Sequence, residues 1–137
     1  MPDLFSKHDF ARVAIRLPLP PSANHHWRMF VIQKAPRMIL SAAGREYIQA
    51  VARCWNSSRT ATPWEPLTGP LKVTATIHYR DRRKIDLDNR MKPLLDALTK
   101  CGAWGDDSQI DELHVFRGPV APPAGFCDVT IEAIQGE

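Results

Sequence analysis

The chain has 137 residues, of which 44% are hydrophobic and 24% charged, and a formal net charge of +3. That composition fits one globular domain with a single core and excludes a disordered chain. No apolar run approaches a bilayer span, and Met1-Pro2-Asp3 does not open a secretory leader, so a cytoplasmic protein without membrane contact is expected.

The three cysteines, Cys54, Cys101 and Cys127, form no CxxC pair. Neither a disulfide framework nor a zinc ribbon is expected, and a reducing compartment is the default. Charge is unevenly spread. Residues 1–85 carry a balance of +9 and residues 86–137 a balance of −6. One basic surface suited to a polyanion, and one acidic concentration, are implied.

In chain order, Val13, Ile15 and Leu17 alternate with Arg12, Ala14 and Arg16, which predicts a half-buried strand. Pro18-Leu19-Pro20-Pro21 ends it, because proline cannot donate to a sheet ladder. Residues 22–28 read as a polar-aromatic loop, and residues 29–40 as a hairpin or irregular arm. Ser41 is placed to cap a helix reaching about Asn56, with Ile48, Val51, Ala52 and Trp55 on one face. Residues 57–70 are a loop by composition.

The clearest strand covers 71–79, where Leu71, Val73, Ala75, Ile77 and Tyr79 alternate with polar residues. A basic run, Arg80-Asp81-Arg82-Arg83-Lys84, leads into Ile85-Asp86-Leu87-Asp88-Asn89. A helix starting near 88–91 follows, with Met91, Leu94, Leu95 and Leu98 as its apolar stripe and Gly102 as its stop. Strands are expected at about 112–117 and 127–134. The fold class is therefore α+β: a single domain over 1–137, a mixed sheet, and two main helices packed on one face.

The acidic concentration carries the chemistry. Asp86 and Asp88 are two apart, and in extended backbone both would project from one face. Their mutual repulsion then calls for a cation or a proton. Asp106 and Asp107 follow one helix later, which by itself would separate the pairs by roughly 15–20 Å. Their loop would have to fold back to join the first pair. The bland alternative makes these residues a helix cap and a solvated turn. Arg82, Arg83 and Lys84 tilt the reading toward phosphodiester chemistry, which needs a hard cation and backbone-holding charge together. Lys92 lies one turn after Asp88, and its plainer role is an i,i+4 pair with Asp96.

These segments, from Asp81 to Asn89 with Lys92, Asp96-Ala97-Leu98-Thr99 and Asp106-Asp107, resemble the RusA family of Holliday junction resolvases. Leu17-Pro18-Leu19-Pro20-Pro21-Ser22-Ala23-Asn24 matches the family's N-terminal pattern, and the resemblance runs from about residue 13 to 134. It implies a homodimeric, Mg²⁺-dependent endonuclease (Mn²⁺ being a plausible substitute) that makes paired nicks at four-way DNA junctions, in recombination and repair. By the same resemblance, Asp86, Asp88 and Asp107 are the catalytic, metal-binding carboxylates and Lys92 a catalytic lysine. Asn89 belongs to the same motif, and Arg82, Arg83 and Lys84 would hold DNA. Ile85 stands where the family has an arginine, so the basic run is one charge shorter. The alternatives are a related nuclease acting on forks or flaps, and a branched-DNA-binding module without catalysis. His25 and His26 are neighbours that cannot easily share a metal, His78 and His114 read as strand positions, and Trp27, Trp55 and Trp104 as packing.

Overall fold

The alternation at Val13, Ile15 and Leu17 is realised as β1 (Arg12–Leu17), with Val13 and Leu17 buried. In the computed structural model, which describes residues 12–58, 65–83 and 85–134, the chain continues through α1 (Ala23–His26), β2 (Trp27–Ile32), β3 (Ala35–Leu40) and α2 (Ala42–Ser58). Next come β4 (Leu71–His78), α3 (Met91–Lys100), β5 (Ile110–Arg117) and β6 (Phe126–Ala133). Short 3-10 turns at Asp88–Arg90 and Asp107–Gln109 lead into α3 and β5. Residues 59–64 of the expected 57–70 loop, and Lys84 of the basic run, lie outside the described residues.

Four strands form one sheet in the order β1-β6-β4-β5. β6 pairs antiparallel with both β1 and β4, while β4 and β5 run parallel. A parallel pair needs a crossover, and α3 supplies it. Leu71, Val73, Ala75 and Ile77 are fully buried, whereas Lys72, Thr74, Thr76 and His78 are half-buried. One sheet face therefore meets α2 and α3, whose Val51, Trp55, Leu94 and Leu98 join the same core. The expected α+β domain with two helices on one face is what forms. Truncating Leu94 or Leu98 to alanine would cost about 2–5 kcal/mol, as for other well-enclosed leucines.

Several local features depart from the sequence expectation. Residues 23–26 wind into one helical turn instead of a loop, because the Ser22 carbonyl accepts the amides of His25 and His26, each at 3.0 Å. Ser22 is anchored further by a 2.7 Å contact between its hydroxyl and His25 Nδ1. On α2 the buried face includes Tyr47, with Ile48 only half-buried. Tyr47 can be buried because its hydroxyl donates to the Pro18 carbonyl at 3.0 Å. Burial also holds its phenol well above the ordinary pKa. On α3, Pro93 is buried and Leu95 half-buried, which rotates the apolar stripe slightly from the expected one. Gly102 at φ +88° ends α3, a conformation that glycine adopts without penalty. Residues 29–40 resolve as the β2–β3 hairpin, a two-stranded ribbon separate from the main sheet. Pro36 is tolerated there because a two-stranded ribbon leaves outward-facing amides to solvent.

Candidate active site and nucleic-acid interface

The chain leaves β4 at buried Tyr79 and turns through Arg80–Arg83. The Asp81 carboxylate builds this turn by accepting from the Arg83 amide at 3.0 Å and from its guanidinium at 2.8–3.1 Å. Those hydrogen bonds from Arg83 hold the Asp81 carboxyl below its usual range and raise the Arg83 guanidinium. Arg83 is thus already engaged, although its side chain remains largely exposed, while Arg82 is exposed.

Beyond the turn, Ile85 and Leu87 pack against the core and Asp86 and Asp88 are exposed. The backbone is pinned at two consecutive carbonyls. Tyr79 donates its hydroxyl to the Asp86 carbonyl at 3.3 Å, and Arg117 donates to the Ile85 carbonyl. The geometry differs from the extended DxD that the spacing suggests: Leu87 sits at φ −65°, ψ −44° and already opens the helical turn. Both carboxylates still face outward, since the alternate residues are held by the core. Among the described residues, neither carboxylate has an ion-pair partner or a side-chain hydrogen bond.

Lys92 is exposed on the first turn of α3, four residues after Asp88, where i and i+4 side chains are neighbours. Its expected pairing with Asp96 is not made. Asp96 turns to His26 Nε2 at 3.2 Å and to Lys100 Nζ at 3.9 Å. Lys92 therefore remains available on the Asp88 side. Asn89 is half-buried within the turn.

Arg90 is the residue that sequence reasoning passed over. Its Nη1 donates to the Pro20 carbonyl at 2.7 Å, and its guanidinium lies 5.7 Å from the Tyr79 ring centroid. Arg117 lies over the same ring at 4.8 Å. Burial raises the Tyr79 phenol, and the two cations oppose that shift. Arg90 Nε is buried without a partner among the described residues. A signal was present in the sequence: a cation at the start of α3 opposes the helix dipole and needs another reason to be there. Arg80, Arg83 and Arg90, with His25 and Glu46, line a cleft of about 580 Å³ that Ile85, next to Asp86 in sequence, also lines. Pro20, Tyr47 and Ile85 are among its apolar lining.

Asp106 and Asp107 divide their work. Asp106 caps the turn before β5, accepting from the Ser108 amide at 3.4 Å and hydroxyl at 3.0 Å, which lowers its pKa. Gln109 closes the other side, accepting from Gly105 and Asp106 and donating to the carbonyls of Leu67 and Gly69. Those last contacts fix Asp107 at the start of β4. Asp86 and Asp88 follow the end of β4. Eight strand residues intervene, a separation on the order of 20 Å. The 106–107 loop therefore does not fold back to Asp86 and Asp88 within one chain. Among the described residues no group of three or more His, Cys, Asp or Glu is arranged to hold a metal.

Trp104 is buried and donates Nε1 to Thr99 Oγ1 at 2.7 Å, and Trp55 is in the core. His78 donates Nδ1 to the Pro119 carbonyl at 2.8 Å. His114 is exposed on β5. No helix among the described residues is long and apolar enough to cross a membrane.

Comparison with known proteins adds one consistent relationship. A sequence model described as endodeoxyribonuclease RusA matches residues 18–124. The chain is 37% identical over 123 residues to the crossover junction endodeoxyribonuclease rusA of Enterobacteria phage 82, covering 90% of this chain and 96% of that protein. It is 36% identical over 124 residues to the proteins of the same description from Escherichia coli K12 and Shigella sonnei Ss046, covering 90% and 97%.

Proposed function

The chain belongs to the endodeoxyribonuclease RusA family, and from that premise we propose that it is a divalent-cation-dependent endonuclease that resolves four-way DNA junctions by paired nicks, in DNA recombination and repair. The observation that carries the reading is the exposed Asp86 and Asp88 pair, which makes no ion pair with a described residue, next in sequence to Ile85 of a cleft lined by Arg80, Arg83 and Arg90. Two outward-facing carboxylates without an ion-pair partner among the described residues suit a hard cation such as Mg²⁺ or Mn²⁺. Such a cation, when bound, supplies Lewis-acid polarisation of a phosphate and activation of water.

This chain's own residues do the rest. Asp86 and Asp88 are the oxygen donors, and their position is set by the packing of Ile85 and Leu87. Lys92, one helical turn away, stabilises negative charge that builds on the reacting phosphate. Arg82 and Arg83, with Lys84, hold neighbouring phosphates, and Asn89 contacts the same strand. Arg90 orients the strand in the cleft through its guanidinium.

Asp107 is a site residue only if a second copy of the chain brings it. Among the described residues β5 is an edge strand with one side unpaired, and its far end meets the Asp86 segment through the contact between Arg117 and Ile85. Two β5 strands paired antiparallel about a two-fold axis would lay the start of one beside the end of the other. Asp107 of the partner subunit would then approach Asp86 and Asp88. Asp111 would also face Arg117 across the axis, and the exposed Leu113 and Phe116 would be covered. A homodimer suits the substrate, because a four-way junction must be cut in two strands.

The test is direct. The protein is incubated with synthetic four-way, forked and linear duplexes, with and without Mg²⁺, and the cuts are mapped. Paired, cation-dependent cuts near the branch of the four-way substrate are expected. Equal cutting of all three substrates, or cutting in chelator, would overturn the reading.

A further inference from the structure

We infer that the β2–β3 ribbon is a DNA-gripping arm, with an apolar face that lies against base steps opened at the branch point and a cationic complement that holds the adjoining phosphates. The inference rests on the junction-nuclease reading and adds to it a contact surface outside the carboxylate site.

The ribbon's pairing sorts its residues into two faces, because directly opposed residues of an antiparallel pair share a side. Trp27 faces Leu40, Met29 faces Met38 and Val31 faces Pro36. On the opposite face Arg28 is paired with Ile39, and Arg37 occupies the position opposite residue 30. Met29, Val31 and Met38 are 67%, 73% and 62% exposed. Adjacent apolar side chains left this open on a ribbon mark a contact surface for a partner.

Charge identifies the partner. Residues 27–40 contain Arg28, Lys34 and Arg37 and no carboxylate. None of the three cations forms an ion pair with a described residue. Lys34 stands at the tip in left-handed backbone, φ 63°, beside Gln33 at φ 52°. That two-residue turn is one in which Asn-Gly is the easier choice, yet here it presents a cation. An apolar strip on one face, with cations on the other face and at the tip that make no ion pair with a described residue, suits a nucleic acid, whose bases are apolar in face and whose backbone is anionic.

Shape agrees with charge. Each strand has six residues, giving a reach of about 20 Å, and a two-stranded ribbon fits a B-DNA groove. Methionine and proline are among the side chains that wedge into base steps. At a branch point stacking is already interrupted, so less stacking has to be broken than in a continuous duplex. The ribbon's root is tied to α1 and α2. Ser41 donates its amide to the His26 carbonyl at 2.9 Å, and its hydroxyl accepts from the Gly44 amide at 3.0 Å. His26 itself is fully buried against Asp96.

The experiment uses the full chain and a four-way junction carrying 2-aminopurine beside the branch. Wild type, Met29→Ser/Met38→Ser and Lys34→Gln/Arg37→Gln are compared for 2-aminopurine fluorescence, binding and salt dependence, with circular dichroism to check folding and light scattering to size each protein. Wild type should raise the fluorescence. The methionine variant should lose most of that rise and bind the junction roughly tenfold more weakly, with linear-duplex binding nearly unchanged. The cation variant should bind both DNAs more weakly, with a log–log salt slope smaller by about 0.9 for each lost phosphate contact. A folded methionine variant with wild-type fluorescence and affinity overturns the inference. So does a methionine variant that falls from dimer to monomer, since the strip would then be a contact between copies. If wild type itself fails to cut junctions, the nuclease reading fails; if wild type cuts and the variants bind and distort DNA as it does, only the arm is refuted.

Discussion

His26 Nε2 lies 3.2 Å from Asp96 Oδ2, joining two positions 70 residues apart. The imidazole is fully buried, and its Nδ1 has no partner among the described residues. The Asp96 contact is therefore the polar anchor that ties the single turn of α1 to α3. Asp96→Ala should leave both ring nitrogens unsatisfied and destabilise the fold by about 1–3 kcal/mol. Urea denaturation checks this. A loss below roughly 0.5 kcal/mol, typical of a neutral surface change, would show that the contact contributes little.

Gly44 gives a prediction of unusual sign. An exposed mid-helix glycine usually gains roughly 1 kcal/mol on replacement by alanine. Here a Cβ would clash with the His26 carbonyl oxygen, which is backbone and cannot yield cheaply. Gly44→Ala should lower Tm instead of raising it, by the several degrees that about 1–3 kcal/mol produces in a domain of this size. An alanine variant more stable than wild type would mean that α1 shifts freely.

The sheet separates Asp107 from Asp86 and Asp88, which permits a complementation test of the proposed shared site. Asp88→Asn and Asp107→Asn homodimers should each bind junctions but not cut them. A mixed dimer holding one copy of each should regain one intact site and nick a single strand. Absence of nicking in verified mixed dimers would place all required groups in one chain, or Asp107 outside the site.

In the basic turn, Arg82 is exposed, whereas Arg83 is held by Asp81. Arg82→Ala should weaken binding to every DNA shape and shrink the salt slope by about 0.9, the value of one phosphate contact. Arg83→Ala should in addition release the Asp81 carboxylate and weaken binding further. Equal effects of the two substitutions, measured across a salt titration, would show that the Arg83–Asp81 pairing does not matter to DNA.

Cys127 predicts an alkaline sensitivity. Burial, with a contribution from the Asp128 charge, pushes its thiol up to about 12. The unfolded thiol titrates near about 8.5. The folded value is the higher, so the associated stability is fully present below about pH 8.5 and is lost as pH rises toward 12. Tm should therefore fall less steeply between pH 8 and 11 in Cys127→Ala than in wild type. Parallel curves would assign the alkaline loss to other groups.

Strands and helices were legible wherever one face is buried against a single core. The period-two pattern at Leu71–Ile77 and the capping position of Ser41 translate directly into β4 and α2. Less legible were features settled by distant partners. Tyr47 is buried only because Pro18 accepts its hydroxyl, and residues 23–26 coil because Ser22 accepts two amides. The crossover through α3 fixes β4 and β5 as parallel, and that sends Asp107 to the opposite end of the sheet from Asp86. No local spacing encodes that separation. Arg90 was overlooked because its partner, the Pro20 carbonyl, is 70 residues away.

The strand order has a consequence for synthesis. β6, the last strand among the described residues, lies between β1 and β4 and pairs with both. Neither neighbour acquires its antiparallel partner until Phe126–Ala133 has left the ribosome. At about 5–20 residues per second, the stretch from His78 to Phe126 takes roughly 2–10 s to translate. For most of that interval the nascent chain carries its acidic motif without the strand that completes the sheet. Competence to cut would then come only with the final strand, and a ribosome-bound fragment would pose no hazard to nearby DNA.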